Sequence, residues 1–349
     1  MKKLLIIGPS VSRSNGGMAA VIKQESESEF LNDNLHIKTF SSYVDGSLSK
    51  RVFHSGLSIF KGLFTIPHYD ILHIHMTSKG SMLRKLFYIQ EGLLFHKKII
   101  VQIHTCDYFI ETFNTMPEWV QDKTRNLLNR CDRILCLSKS FKSKLESELG
   151  LHNCIYFPNG IDLEEYKYRE GRNRNNILFL GKIRESKGCD DLLKALSMVK
   201  DKGHEFRCYM AGSGDIDYYK SLAHSYDLDD SDVVFTGWLG HKDIIRLLYS
   251  CKALVLPSYH EGFPVVILEA MACGTDVIAT NVAAIPEIID TDLEPKDIER
   301  LAELIETNLT YDKIKVRKNR KTVEKEFDID KLHKELYFVL TGDKVCQRK

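Results

Sequence analysis

Leu254-Val255-Leu256-Pro257-Ser258-Tyr259-His260-Glu261-Gly262-Phe263-Pro264-Val265-Val266-Ile267-Leu268-Glu269-Ala270-Met271-Ala272-Cys273-Gly274 reads as a strand, a loop and a helix in succession. The apolar run before Pro257 suits a short buried strand. Gly262-Phe263-Pro264 turns the chain, Pro264 is tolerated in the first helical turn, and Gly274 closes the helix. Free backbone N–H groups at that helix start, around Val265, suit an anion such as a phosphate. Glu261 sits on the loop above the strand end. Glu269 lies about one and a half turns into the helix. There its carboxylate can accept two hydrogen bonds from a vicinal diol such as a ribose. Singly, either glutamate is more often a surface acid; the whole run carries the signal.

The same alternation extends in both directions. In the first half, strands are expected at 3–8, 37–40, 71–75, 99–104, 133–137 and 154–157, with helices near 17–30, 56–66, 80–96, 118–131 and 139–149. In the second, strands fall at 177–181, 207–211, 233–236, 253–257 and 276–280, with helices near 187–200, 215–226, 241–250 and 264–273, and 295–341 reads as wholly helical. Such alternation means parallel sheets covered on both faces. With 349 residues, a length prior gives about two domains. The expected division is a domain at 1–158, a Pro/Gly/Asn-rich linker at 159–176, a second domain at 177–325 and a returning helix at 326–349. The fold class is α/β: two doubly wound Rossmann-like domains facing a cleft, with ligands beyond the carboxyl ends of the strands.

Composition narrows the function classes. The chain is 43% hydrophobic and 28% charged with net charge +1, which excludes disorder and gives no global pull toward nucleic acid. Residues 1–165 carry 20 basic and 17 acidic side chains (+3), and the remainder 29 and 31 (−2). Nine cysteines fall in no zinc-like spacing, and no export signal is visible, so a reduced cytoplasmic protein is expected. No run approaches a membrane span. No metal site is expected: Asp215-Ile216-Asp217 matches a metal motif by spacing only.

Five further motifs carry chemistry. Leu178-Phe179-Leu180-Gly181-Lys182-Ile183-Arg184-Glu185-Ser186-Lys187-Gly188 is a strand and a cationic loop able to clamp a leaving diphosphate. The loop Pro9-Ser10-Val11-Ser12-Arg13-Ser14-Asn15-Gly16-Gly17 is neither a dinucleotide fingerprint nor a P-loop. Its paired glycines permit close approach of a phosphate, or simply make a turn. His104 ends the strand Val101-Gln102-Ile103, with His73 and His75 on the strand before it. Gly212-Ser213-Gly214-Asp215 follows another strand. Finally, Lys79, Arg84, Lys85, Lys97 and Lys98 flank the apolar stretch 83–95. That segment is either a core helix with a solvated rim, the commoner case, or a face lying on the anionic inner surface of a membrane.

The run 260–274 resembles the signature of the family 4 retaining glycosyltransferases of GT-B fold, with seven residues between Glu261 and Glu269. The resemblance places Glu261 beside a donor sugar and Glu269 on the nucleotide ribose, and brings Gly262, Phe263, Pro264 and Val265 to the donor. It implies a diphosphate clamp from Lys187, with Lys182 standing where an arginine is usual and Arg184 as a substitute. It gives Gly16 and Gly17 to the donor diphosphate, His104 to the sugar, and Gly212 to the nucleotide. Phe235-Thr236-Gly237-Trp238-Leu239 stands where a base-binding loop is expected, and Phe157-Pro158-Asn159-Gly160-Ile161-Asp162 where the hinge is. The implied reaction transfers a hexose-type sugar, most often from a UDP-sugar, to a glycan or lipid-linked acceptor of a surface polysaccharide. The anomeric configuration is retained, and neither cofactor nor metal is needed. The donor phosphate oxygen would itself help deprotonate the acceptor.

The chain departs from the pattern after Asp290, where Thr291-Asp292-Leu293-Glu294-Pro295 replaces a glycine-bearing loop. Val282-Ala283-Ala284 and Asp276 are further departures. They motivate a rival reading, a catalytically weak subunit that accompanies another transferase. A sugar-nucleotide epimerase is a third reading, disfavoured by the two-glutamate signature.

Overall fold

A computed structural model describes residues 1–14, 16–44, 47–105, 107–168, 175–310 and 315–342, without the side chains of 48–50 and 315–317. Asn15 of the glycine loop, Cys106, residues 169–174 of the expected linker, 311–314 of the helical stretch and the last seven residues lie outside the described residues. The chain forms two compact units, Met1–Asn159 with Ile329–Lys349, and Gly160–Asp328.

The first unit contains β1 (Lys2–Pro9), α1 (Gly17–Glu27), α2 (Glu29–Asn34), β2 (Leu35–Tyr43), α3 (Leu48–Thr65), β3 (Ile71–Met76), α4 (Gly80–Leu94), β4 (Lys98–Ile103), α5 (Asp107–Asn114), α6 (Glu118–Asn129), β5 (Arg133–Cys136), α7 (Lys139–Leu149) and β6 (Cys154–Tyr156). Its six-stranded parallel sheet has the order β2-β1-β3-β4-β5-β6. Leu4, Leu5, Ile6 and Ile7 are all buried, as are all six residues of β3. Continuous burial is what a parallel strand covered on both faces requires. Local chemistry sets the helix ends: Ser138 Oγ accepts from the Phe141 N–H at 3.1 Å to start α7, and Gly150 ends it at φ 66°.

The second unit contains β7 (Asn176–Leu180), α8 (Cys189–Asp201), β8 (Arg207–Ala211), α9 (Ile216–Ser225), β9 (Val233–Gly237), α10 (His241–Ser250), β10 (Ala253–Leu256), α11 (Val265–Cys273), β11 (Asp276–Ala279), α12 (Ile285–Ile288), α13 (Ile298–Thr310) and α14 (Lys315–Glu326). Its parallel sheet runs β11-β10-β7-β8-β9. The last helix, α15 (Ile329–Thr341), belongs to the first unit, where Leu332, Leu336, Val339 and Leu340 join the core of Leu4, Ile6 and Ile71.

Three details differ from the sequence reading. The stretch 295–341, read as wholly helical, holds three separate helices among the described residues. It breaks at Phe327–Asp328, where Phe327 is buried and its carbonyl accepts from the Ile161 N–H at 3.0 Å. The expected linker is anchored at its start, since Ile161 and Tyr166 lie in the second unit's core. And α3 begins at Leu48, eight residues before the expected 56, while α2 and α5 went unread.

Candidate active site

In the second unit the strand order reverses between β7 and β10, the place where doubly wound sheets bind ligands. The loops that leave these two strands are fastened to each other. The Tyr259 N–H donates to the Ser186 carbonyl at 3.1 Å. A Cβ on Gly188 would lie 2.0 Å from the Pro257 carbonyl oxygen, and its φ of +67° also favours glycine. The Tyr259 hydroxyl donates to Asp191 Oδ2 at 2.8 Å. On this frame Lys187 forms an ion pair with Glu261, and Ser258 Oγ donates to the same carboxylate oxygen at 2.7 Å. Ser258 is fixed in turn, its carbonyl accepting from Thr280 Oγ1 at 2.6 Å. Two motifs 74 residues apart therefore form one ion-paired site. The expected clamp residues separate here: Lys187 is half-buried, whereas Lys182 and Arg184 are exposed and make no ion pair among the described residues.

Glu269 projects from α11 and accepts from the Tyr166 hydroxyl at 2.9 Å. Burial pushes its carboxyl above the usual range, against the lowering effect of the Tyr166 hydrogen bond. Tyr166 was hidden to sequence reading because it lies in the supposed linker. His241 stacks edge-on against Tyr166 with ring centroids 5.6 Å apart.

The remaining donor-side residues are placed as follows. Pro264 caps α11 from just outside, so the helix proper starts at Val265, which is half-buried. Gly262 is half-buried beside it, and the Phe263 ring packs against Phe327 with centroids 5.9 Å apart. At Gly212 a Cβ would lie 1.8 Å from the Gly181 carbonyl oxygen, so its missing side chain lets two backbone loops approach. Asp215 caps α9 by accepting from the Tyr218 N–H at 3.3 Å. Trp238, in the expected base loop, is exposed. The altered segment after Asp290 is pinned, with the Asn281 N–H donating to the Leu293 carbonyl at 2.7 Å and Arg300 paired to Asp292 at 2.8 Å.

In the first unit, Gly16 precedes α1, and the space around Gly16 and Gly17 is open. His104 follows β4, is half-buried, and ends a chain from the buried Glu25 and His75 that sequence reading missed. Glu25 Oε2 lies 3.1 Å from His75 Nε2, and His75 Nδ1 lies 2.9 Å from His104 Nε2. Burial opposes the charge on Glu25, but the neighbouring His75 and His73 hold its carboxyl well below the usual range. Burial, only partly offset by Glu25, pushes His75 down to about 4, and burial holds His104 well below its ordinary value. Both imidazoles are then neutral at pH 7. An ionised carboxylate only accepts, so His75 donates from Nε2, and its bare Nδ1 accepts the Nε2 proton of His104. His104 is left with a lone pair on Nδ1, suited to accept from a hydroxyl.

His73 Nδ1 approaches the same Glu25 oxygen at 3.2 Å, in a geometry that makes it a contact and not a hydrogen bond. Glu25, His73 and His75 bring one potential ligand atom each within 4.8 Å of one another. The His-x-His spacing on one strand face was the available signal; the partner from α1 was not legible.

Comparison with known proteins bears on the family and the fold. Residues 161–327 match the family model described as Glycosyl transferases group 1, and residues 22–165 match Glycosyltransferase Family 4. An uncharacterized glycosyltransferase of Methanocaldococcus jannaschii is 30% identical over 330 residues, covering 86% of this chain and 80% of that protein. A serotype-specific mannosyltransferase of Escherichia coli is 33% identical over 141 residues, 38% of this chain, and the match spans only 17% of that protein's length. An Anabaena protein, HepE, solved in complex with UDP and glucose, superposes with a TM-score of 0.76 at 18% identity, over 98% of this chain and 100% of that one. At that identity the likeness speaks for the fold alone. Two Rossmann-like parallel-sheet units of this kind define the GT-B architecture. The chain belongs to the family 4 glycosyltransferases.

Proposed function

We propose that this protein transfers a hexose-type sugar, with retention of configuration, from a nucleotide sugar to a glycan or lipid-linked acceptor in surface polysaccharide synthesis. The observation that carries the reading is the Lys187–Glu261 pair, held on fastened loops at the strand-order switch. In this reading Lys187 exchanges its carboxylate partner for the donor diphosphate and stabilises it as it leaves. Glu261, still held by Ser258, faces the positive charge that develops on the sugar. In the second unit Glu269 receives the ribose hydroxyls and Gly212 lets the nucleotide approach its loop; in the first, the family resemblance gives Gly16 and Gly17 to the diphosphate and His104 to a sugar hydroxyl. The complex of HepE with UDP-glucose favours a UDP-sugar donor. Cations and backbone N–H groups meet the diphosphate charge, so no metal or cofactor is required. NMR of the glycoside product tests the stereochemistry: the donor's anomeric configuration is expected in the product, and an inverted anomer would overturn this mechanism.

The reading includes peripheral contact with the cytoplasmic face of a membrane, for which an apolar surface of α3 and α4 is proposed. No helix among the described residues is long and apolar enough to cross a bilayer. Yet α3 exposes Phe53, Phe60 and Phe64 at 74%, 60% and 66%, and neighbouring α4 exposes Leu83, Phe87 and Leu94. The two helices are joined by Ser58 and Tyr88, whose hydroxyls are 2.8 Å apart. No acidic residue occurs between 47 and 69, while Arg51 and Lys61 do. An apolar helical face with only basic charge fits an anionic bilayer surface. Vesicle flotation should show binding to phosphatidylglycerol vesicles and little to phosphatidylcholine, and Phe60→Asp with Phe64→Asp should abolish it. Equal recovery of wild type and variant with the vesicles would remove this part of the reading.

A further inference from the structure

The first unit has its own strand-order switch, between β1 and β3. The loops leaving these strands, with α3 and α4, border a cavity of about 370 Å³. Four cations line it, Arg51, Lys79, Arg84 and Lys85, and no carboxylate does among the described residues. None of the four makes an ion pair with a described residue. Arg51 and Arg84 both lie over the Tyr43 ring, 5.3 and 5.1 Å from its centroid, so one aromatic surface holds two guanidiniums together. Lys85 is 1% exposed, and among the described residues its ammonium donates to Ser42 Oγ alone. Arg84 Nε and Ser14 Oγ are buried and have no hydrogen-bond partner among the described residues.

Gathering like charges with no counter-charge among the described residues costs stability, and so does leaving buried donors unpaired. Burial, and then Arg84, hold Lys85 well below its ordinary range; burial likewise lowers Arg84. These cations and unpaired donors suit an anion with several acceptor oxygens. A tetrahedral phosphate supplies that, and planar guanidiniums fit it in bidentate fashion.

We propose that this cavity binds a phosphate group of the acceptor, with Arg51, Arg84 and Lys85 as its ligands. The proposal rests on the transferase reading above and deepens it by naming the acceptor class, a phosphate-bearing molecule. Gly16 also borders the cavity, so the experiment must separate this phosphate from the donor's.

Calorimetric titration of the full-length protein with glycerol 1-phosphate, and with dodecyl phosphate below its micelle concentration, makes the test. UDP-glucose and other nucleotide sugars are titrated in parallel. At least one phosphate probe should bind the wild type. Arg84→Gln and Lys85→Met should each weaken it about tenfold, the loss of a charge-assisted hydrogen bond, with donor affinity unchanged within about twofold. Tighter binding of dodecyl phosphate identifies a lipid-linked source, and equal binding a soluble one; either supports the site. Lys85→Met removes a buried charge and keeps the test available should Arg84→Gln fail to fold. Absence of binding by both phosphate probes while a donor binds would overturn the proposal. So would an equal loss of donor affinity in the variants, which would return these cations to the donor. Phosphate binding without any donor binding would leave this site standing and sink the transferase reading instead.

Discussion

Glu269→Ala is expected to weaken donor binding about a hundredfold or more. A carboxylate that accepts two hydroxyl bonds from a ribose contributes charge-assisted hydrogen bonds of about 1.5–3 kcal/mol each. The structure adds a reason for a steep loss. Glu269 is one of the few acids set into the second unit's interior, its charge disfavoured by burial and supported by the Tyr166 hydroxyl. A protein maintains such an acid at a cost of stability, and ligand hydroxyls would repay it. Truncation also leaves the Tyr166 hydroxyl without its partner, so the melting temperature must be followed beside affinity. Two variants separate the roles. Glu269→Gln keeps volume and one acceptor oxygen and should fall between wild type and Ala. Tyr166→Phe leaves the carboxylate in place and should lower donor affinity less than tenfold. A Glu269→Ala protein with wild-type donor affinity would show that the ribose is held elsewhere.

Glu261→Gln should lower the transfer rate about a hundredfold to a thousandfold, with donor affinity nearly unchanged. That is the scale found when one preorganised charge-stabilising group is removed from an active site. The substitution is nearly isosteric and retains an oxygen for Ser258. What it removes is the negative charge that neutralises Lys187 in the free protein and faces the sugar during transfer. A fall in kcat without a rise in donor KM is the pattern of an interaction made in the transition state. The opposite pattern would make Glu261 a binding residue, and wild-type rates would remove it from the mechanism.

Much of this was legible in the sequence because parallel strands announce themselves. Residues 4–7 and 71–76 are buried on both faces and read as unbroken apolar runs apart from the two histidines. The motifs around Lys187 and Glu261 were legible for the same reason, as loops that follow such strands. Their pairing was not, since it depends on β7 and β10 being neighbours, and strand order leaves no local mark. The Glu25–His75–His104 chain was invisible on the same ground: it joins α1, β3 and the end of β4. Tyr166 was hidden by a polar, turn-rich context that reads as linker, although its own side chain is in the core. Helix α3 was half read because its apolar residues, Phe53, Phe60 and Phe64 among them, face outward, and periodicity identifies a face without saying what covers it.

The most direct test incubates purified wild-type protein and Glu269→Ala with a panel of nucleotide sugars, measuring which bind and which slowly release nucleoside diphosphate. The account predicts that the wild type binds one donor class and hydrolyses it slowly, and that both activities vanish in the variant. Failure of every nucleotide sugar to bind the wild-type protein would contradict it and favour the accessory-subunit reading.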